Sequence, residues 1–171
     1  MKLTSASRRA PGSTAYPSVM CMKIGRYEFK FICDIEPAQN ANGFIKELMP
    51  QSRYRNKNNL PLNRYGEGPF CKFKIPKDFN TSGVYTILVD SIAKYIGECF
   101  SLSSRFNMGY GNISPKNCFV GGQETNCRIN NLILNTVKSG HKVSLWFMKT
   151  ENFKLVEQEL RATEDLEWNR V

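Results

Sequence analysis

Histidine is all but missing from this chain, with His141 the single example in 171 residues. No two cysteines share a Cys-x-x-Cys spacing, since the six stand apart at positions 21, 33, 71, 99, 118 and 127. A zinc site built from imidazole and thiolate therefore has few ligands at usable spacing. No run of residues approaches the roughly eighteen consecutive apolar positions that a bilayer span needs. The amino terminus also lacks the apolar core of a signal peptide. These absences lead to the expectation of a soluble, cytoplasmic protein whose cysteines are reduced and packed as small hydrophobes. Internal repeats are absent too. Acidic side chains are in deficit: 15 Asp and Glu stand against 24 Lys and Arg, for a net charge of +9. Such a surface attracts polyanions, of which nucleic acid is the commonest inside cells, although charge alone does not choose among DNA, RNA and anionic lipid.

The length suits one ordinary domain, or a small catalytic module with an attached arm. The first twenty residues are rich in Ser, Ala, Arg and Pro without a period, and they read as a loosely ordered arm whose Arg8-Arg9 can touch phosphates. Alternating Ile24, Phe29, Phe31 and Cys33 predict a strand over 23–35, ended by Pro37. The spacing of Phe44, Ile45 and Leu48 predicts a short helix over 42–48 with Pro50 as its stop. Residues 51–69 then interleave Arg53, Arg55, Lys57 and Arg64 with Tyr54 and Tyr65 among asparagines, glycines and prolines. Guanidinium and ammonium groups take phosphates, Asn and Arg pair with base edges and Tyr stacks, so the segment reads either as a nucleic-acid-binding loop or as a solvated connection. Phe70 to Ile75 alternates cleanly and predicts a strand with one wet face.

From Ser82 onward the pattern is strand (84–89), turn, strand (94–97), a short helix over 102–108, a loop and a longer helix. Ile129, Leu132, Ile133, Thr136 and Val137 form the stripe of that longer helix, with Thr125 or Asn126 as cap and Gly140 as terminator. Val143, Leu145 and Phe147 mark a further strand, and a last helix runs over 152–163. The expected fold class is α+β, a small antiparallel three-stranded sheet flanked by helices, with an N-terminal extension. On this reading residues 1–80 are a basic arm and accessory region, and 81–171 are a separate domain.

The chemistry-bearing residues fall in a characteristic order. Gly83-Val84-Tyr85 and Tyr95-Ile96-Gly97 place two tyrosines ten positions apart on adjacent predicted strands, so both phenols can face one side of a hairpin. Arg105 follows on the short helix, and Glu157 and Asn169 come near the carboxyl end. This order resembles the catalytic core of the GIY-YIG nucleases over roughly Ser82 to Val171. The first eighty residues lie outside the resemblance. The likeness implies a metal-dependent phosphodiesterase in which Arg105 contacts the scissile phosphate, Glu157 binds one divalent cation, Mg²⁺ or another such as Mn²⁺, and Asn169 braces the site. It implies that Tyr85 orients or deprotonates the attacking water, that Tyr95 supports the water network, and that Tyr110 handles a second proton. A free phenol titrates near pH 10, so a base role for Tyr85 needs a nearby cation.

Glu157 is favoured over its rival Glu159 because Val156 and Leu160 mark the buried face and Glu157 lies at its edge. The family usually carries a proline where this chain has Leu166. Lys94 abuts Tyr95 and is a phosphate candidate, although strand alternation points it to the opposite face. In the long loop over 110–126, Lys116, Asn117 and Gln123 are base-edge candidates or structural residues. Arg53, Arg55 and Arg64 complete the expected DNA-binding set. Within the family, a chain of this size with an unmatched basic region is similar to a type II restriction enzyme acting on double-stranded DNA, which implies a homodimer and a cognate DNA methyltransferase as partners. A structure-selective repair or mobile-element endonuclease and a non-catalytic binding module are the alternatives.

Overall fold

The computed structural model describes residues 20–170, so Arg8 and Arg9 lie outside the described residues. The class is α+β, but the sheet has five strands rather than three, all antiparallel, in the order β1-β2-β5-β3-β4. Its strands are β1 (Cys21–Ile24), β2 (Tyr27–Asp34), β3 (Gly83–Val89), β4 (Ile92–Cys99) and β5 (Val143–Lys149). The single strand expected over 23–35 is a hairpin, because Gly25 at φ 55° turns the chain between Ile24 and Tyr27. Its second strand pairs with β5, Lys30 lying opposite Phe147. The sheet is thus continuous between the first eighty residues and the motif-bearing part.

Among the described residues three α-helices complete the frame: α1 (Leu102–Ser104), α2 (Glu124–Lys138) and α3 (Phe153–Thr163). The cap of α2 is Gln123, ahead of the expected Thr125 or Asn126. Its end is as expected: Gly140 at φ 84° donates to Val137 O and His141 N–H to Thr136 O, the paired bonds of a Schellman motif. Apolar side chains divide into layers. Ile129, Ile133 and Leu134 of α2 pack with Tyr85, Ile87, Tyr95 and Leu145 on one face of the sheet. Phe153, Val156 and Leu160 of α3 pack with Val84, Ile96, Ile24 and Phe29 on the other. A third cluster of Phe70, Ile113, Cys118, Phe119 and Cys127 joins the two long loops. No helix among the described residues is long and apolar enough to cross a membrane.

Two expected elements are replaced. No helix forms over 42–48: the Asn40 Oδ1 accepts from the N–H of Asn42 and Phe44 at 3.0 and 3.1 Å, and Gly43 takes φ 79°. Asx-turn chemistry overrides the apolar spacing there, and Phe44 is left exposed. Phe70–Ile75 keeps its alternation, with Phe73 and Ile75 buried and Lys72 and Lys74 exposed, but it pairs as a strand only at the isolated Phe70–Leu48 bridge. Lys72 O accepts from Ala38 N–H at 2.7 Å and Phe73 N–H donates to Gly111 O at 3.1 Å, whereas the backbone bonds of Cys71 and Ile75 go to helix side chains. Asn130 spans Cys71, accepting from its N–H at 2.9 Å and donating to its C=O at 2.8 Å, and Asn107 does the same for Ile75 at 2.7 and 3.1 Å. Each asparagine amide stands in for a neighbouring strand.

Candidate active site

The β3–β4 hairpin places both motif tyrosines. Asp90 and Ser91 turn the chain with φ 46° and 73°, as a two-residue hairpin turn with right-handed strand twist requires. The Asp90 carboxylate anchors that turn, accepting from Lys142 N–H at 2.8 Å and meeting His141 Nδ1 at 2.6 Å. A register shift between Ile87 and Leu88 leaves Lys94 out of the ladder, and Tyr85 then lies directly opposite Gly97. That pairing explains the second motif glycine: a methyl group built on Gly97 falls 2.6 Å from Tyr85 Cζ and closer still to its hydroxyl. Gly83 is restricted in the same way by Met148 O and the Phe147 ring.

Beyond β4 the chain does not make the ordinary helix expected to stop at Gly109. Ser101 caps α1 by accepting from Ser104 N–H, and a π-helical turn follows over Arg105–Tyr110, closed by the Gly111 N–H donating to Phe106 O at 2.7 Å. Residues five apart stack in a π turn. Tyr110 therefore comes under Arg105, whose guanidinium carbon is 4.8 Å from the ring centroid. The Tyr110 hydroxyl lies 2.8 Å from that of Tyr85 and 3.4 Å from that of Tyr95, and Arg105 Nε donates to the Tyr85 hydroxyl at 3.4 Å. Three phenols and one guanidinium form a single hydrogen-bonded group. Phe106 holds the Tyr85 and Tyr110 rings edge-on at 5.1 and 5.2 Å.

Tyr85 and Tyr110 are fully buried, Tyr95 nearly so, and Arg105 is half-buried at the floor of an open cavity of about 430 Å³. Glu98, Ser101, Met108, Gly109 and Gln123 surround that floor. Burial pushes the Tyr85 phenol well above its ordinary pKa, reinforced by Tyr110 and Tyr95 and opposed by Arg105. Burial raises Tyr95 likewise, with Arg105 and Arg128 opposing. Both are un-ionised at neutral pH.

Arg128 was not among the residues expected at the site. It is buried on α2, donates from Nη1 to Trp168 O at 2.5 Å and lies 5.9 Å from the Tyr95 ring centroid. Neither Arg105 nor Arg128 pairs with a carboxylate among the described residues. Two guanidinium groups beside the un-ionised Tyr85 and Tyr95 leave a positive potential that an anion would offset. Asn169 clamps the outer edge of β4, bonding both N–H and C=O of Ile96 at 2.8 Å, and so fixes the strand between Tyr95 and Gly97.

Glu157 lies outside the hydrogen-bonded group. Its Oε1 accepts from Arg161 at 3.1 Å, and its Oε2 has no hydrogen-bond partner among the described residues. The rival Glu159 accepts from Arg26 Nη2 at 2.8 Å and the Tyr27 hydroxyl at 2.7 Å, and so ties α3 to the β1–β2 turn. Positions two apart on a helix are roughly 200° apart. Glu157 is therefore on the opposite flank, toward β4, where Phe153 meets Phe100 beside the Arg105 cavity at 4.9 Å. No group of three or more His, Cys, Asp or Glu converges among the described residues. One carboxylate with a free oxygen fits a Mg²⁺ held mainly by water and substrate phosphate, as that ion is usually held.

The expected DNA-binding residues are dispersed. Arg53, Arg55 and Arg64 are separate positions on the loop over 51–69, with Arg64 lying over the Tyr65 ring at 5.2 Å. Tyr54 is used inside the protein, 4.9 Å from Phe119. Lys94 is engaged by Glu167 at 2.5 Å. Lys116 stands on a 3-10 turn, whereas Asn117 accepts from Asn63 at 2.6 Å through its carbonyl and holds the loop together. Gln123 reaches the rim of the Arg105 cavity. Comparison with protein-family models, curated proteins and solved structures found no match to this chain.

Proposed function

We propose that the chain is a metal-dependent DNA endonuclease that hydrolyses phosphodiester bonds at the Arg105 cavity. The observation that carries this reading is the joining of Tyr85, Tyr95, Tyr110 and Arg105, distant in sequence, into one hydrogen-bonded group whose guanidinium forms no ion pair among the described residues. The long 3.4 Å bond from Arg105 to Tyr85 is readily exchanged for a phosphoryl oxygen. A planar guanidinium can take two such oxygens and stabilise the charge that grows on them as water attacks phosphorus and the P–O bond to the leaving oxygen breaks. Of the two roles implied for Tyr85, orienting the water agrees with the burial that keeps its phenol protonated. Tyr110 fixes the Tyr85 hydroxyl, and Asn169 fixes the strand that carries Tyr95. Glu157 would hold the Mg²⁺, which when bound polarises the phosphoryl group and acidifies water.

Within this proposal the finer reading is site-specific double-strand cleavage of the type II restriction kind, with duplex DNA as substrate, a homodimer on palindromes and a cognate methyltransferase as partner. Digestion of a mapped plasmid with and without Mg²⁺ tests it. Discrete bands that need the metal support restriction. Cutting confined to branched or damaged DNA moves the assignment to repair or mobile-element cleavage. The complete burial of Tyr85 and Tyr110 favours one other reading, a binding module that keeps the tyrosines as core. Metal-independent binding without any cleavage supports that reading.

A further inference from the structure

A second cavity, of about 390 Å³, opens on the part of the chain outside the motifs. Lys46, Arg53 and Lys72 line it together with Gln39 and Asn112 and with the apolar Leu48 and Phe70. No Asp or Glu among the described residues lines it. None of the three cations forms an ion pair among the described residues, and Glu47, next to Lys46 in the chain, is taken by Lys138 instead. The local backbone is held firmly: Ala38 N–H donates to Lys72 O at 2.7 Å, Lys46 N–H to Ala38 O at 2.8 Å, and Leu48 and Phe70 exchange bonds at 2.8 and 2.9 Å. Three like charges on a braced, concave frame repel one another unless an anion occupies the space between them.

Its position relative to the Arg105 cavity identifies the anion. Gly109 lines the first cavity and Asn112 the second, and Asn112 N–H donates to Gly109 O at 3.3 Å. Three residues span at most roughly 10 Å of chain. The linings of the two cavities therefore meet at one short lip, close enough for a single nucleic-acid strand to run past both. We propose that the Lys46–Arg53–Lys72 cavity is a second phosphate site, which takes a backbone phosphate flanking the one at Arg105 and sets the register of the strand. This assigns a task to residues 36–72, and it rests on the nuclease reading for the identity of the strand.

The test uses the full chain carrying Glu157→Gln, so that binding is read without cleavage. Duplexes bearing one neutral methylphosphonate at successive positions are titrated by fluorescence anisotropy against this protein and against the same protein with Lys46→Ala, Arg53→Ala and Lys72→Ala. The expected result is a tenfold or greater loss of affinity in the triple variant, with the log-log salt slope reduced by about one for each phosphate no longer neutralised. One flanking methylphosphonate should weaken the parent and leave the triple variant unaffected. A control replaces Lys23, Lys30 and Lys149 with Ala, and circular dichroism confirms folding. Equal loss in the control, or unchanged affinity and slope in the triple variant, overturns the proposal. Binding of inorganic phosphate or a mononucleotide at this cavity with no effect on the duplex titration also overturns it, by making the site one for a free ligand. Because binding is measured, failure here with metal-dependent cutting intact leaves the nuclease reading standing, and success without any cutting removes that reading alone.

Discussion

Replacing Gly97 with Ala should damage the protein through one side chain. The backbone at Gly97 is not in the left-handed region, so an L residue meets no conformational strain there. The added methyl meets Tyr85 instead, at 2.6 Å from Cζ and 3.0 Å from Cε2. That ring cannot swing away, since it is fully buried, edge-on to Phe106 at 5.1 Å and hydrogen-bonded to Tyr110 at 2.8 Å. Overpacking of this kind costs about 1–3 kcal/mol. In a Tyr85→Leu background the outer ring atoms are gone, so Gly97→Ala should cost under about 0.5 kcal/mol, within the range of innocuous substitutions. Urea denaturation of the four proteins gives the coupling energy. If Gly97→Ala costs the same in both backgrounds, the spacing of the two motifs is not explained by this ring against this glycine.

Tyr85→Phe keeps the ring and removes the hydroxyl, so stability should fall by about 1 kcal/mol and cleavage roughly a hundredfold; near-normal turnover in a metal-dependent cutting assay would move the role to Tyr95 or Tyr110. Asn130→Ala removes a side chain bonded to Cys71 N–H and C=O and to Tyr110 O, and should cost about 2–4 kcal/mol in a thermal melt. The Lys142 N–H, and then His141, hold the Asp90 carboxyl below its ordinary pKa. Its contribution is therefore present above about pH 4, the unfolded value, and is lost as pH falls through the lower folded value. The stability gap between the native protein and Asp90→Asn should accordingly narrow as pH falls below about 4.

The elements that are local in the chain were legible from periodicity: the β3–β4 hairpin, α2 with its Gly140 stop, β5 and α3 all stand where their apolar spacing put them. The five-stranded sheet was not, because the pairing of Lys30 with Phe147 links distant segments and leaves no local mark in either. Phe70–Ile75 showed its buried face but not its partners, since the bonds of Cys71 and Ile75 go to Asn130 and Asn107, which read as ordinary helix polar residues. At the candidate site the two tyrosines and Arg105 were singled out by the motif resemblance, and the structure brings them into one hydrogen-bonded group. The place of Tyr110 under Arg105 was hidden by the π turn, which shifts stacking from four residues to five. Arg128 gave no signal, because an arginine beside an apolar stripe is usually solvated, and only the fold shows it buried against Trp168.

The proposed metal-dependent cleavage depends most on Glu157. Mg²⁺-dependent cleavage of plasmid by Glu157→Gln and by Glu159→Gln, measured side by side with DNA binding and thermal stability, tests it directly. Glu159→Gln weakens the bonds to Arg26 and Tyr27 and should lower stability while still cutting. Glu157→Gln should stay within about 0.5 kcal/mol of the native protein in stability, bind DNA as tightly or more tightly, and cut nothing. An inactive Glu159→Gln beside an active Glu157→Gln would put the metal ligand on the other flank of α3, and normal cutting by both would contradict the enzyme assignment itself.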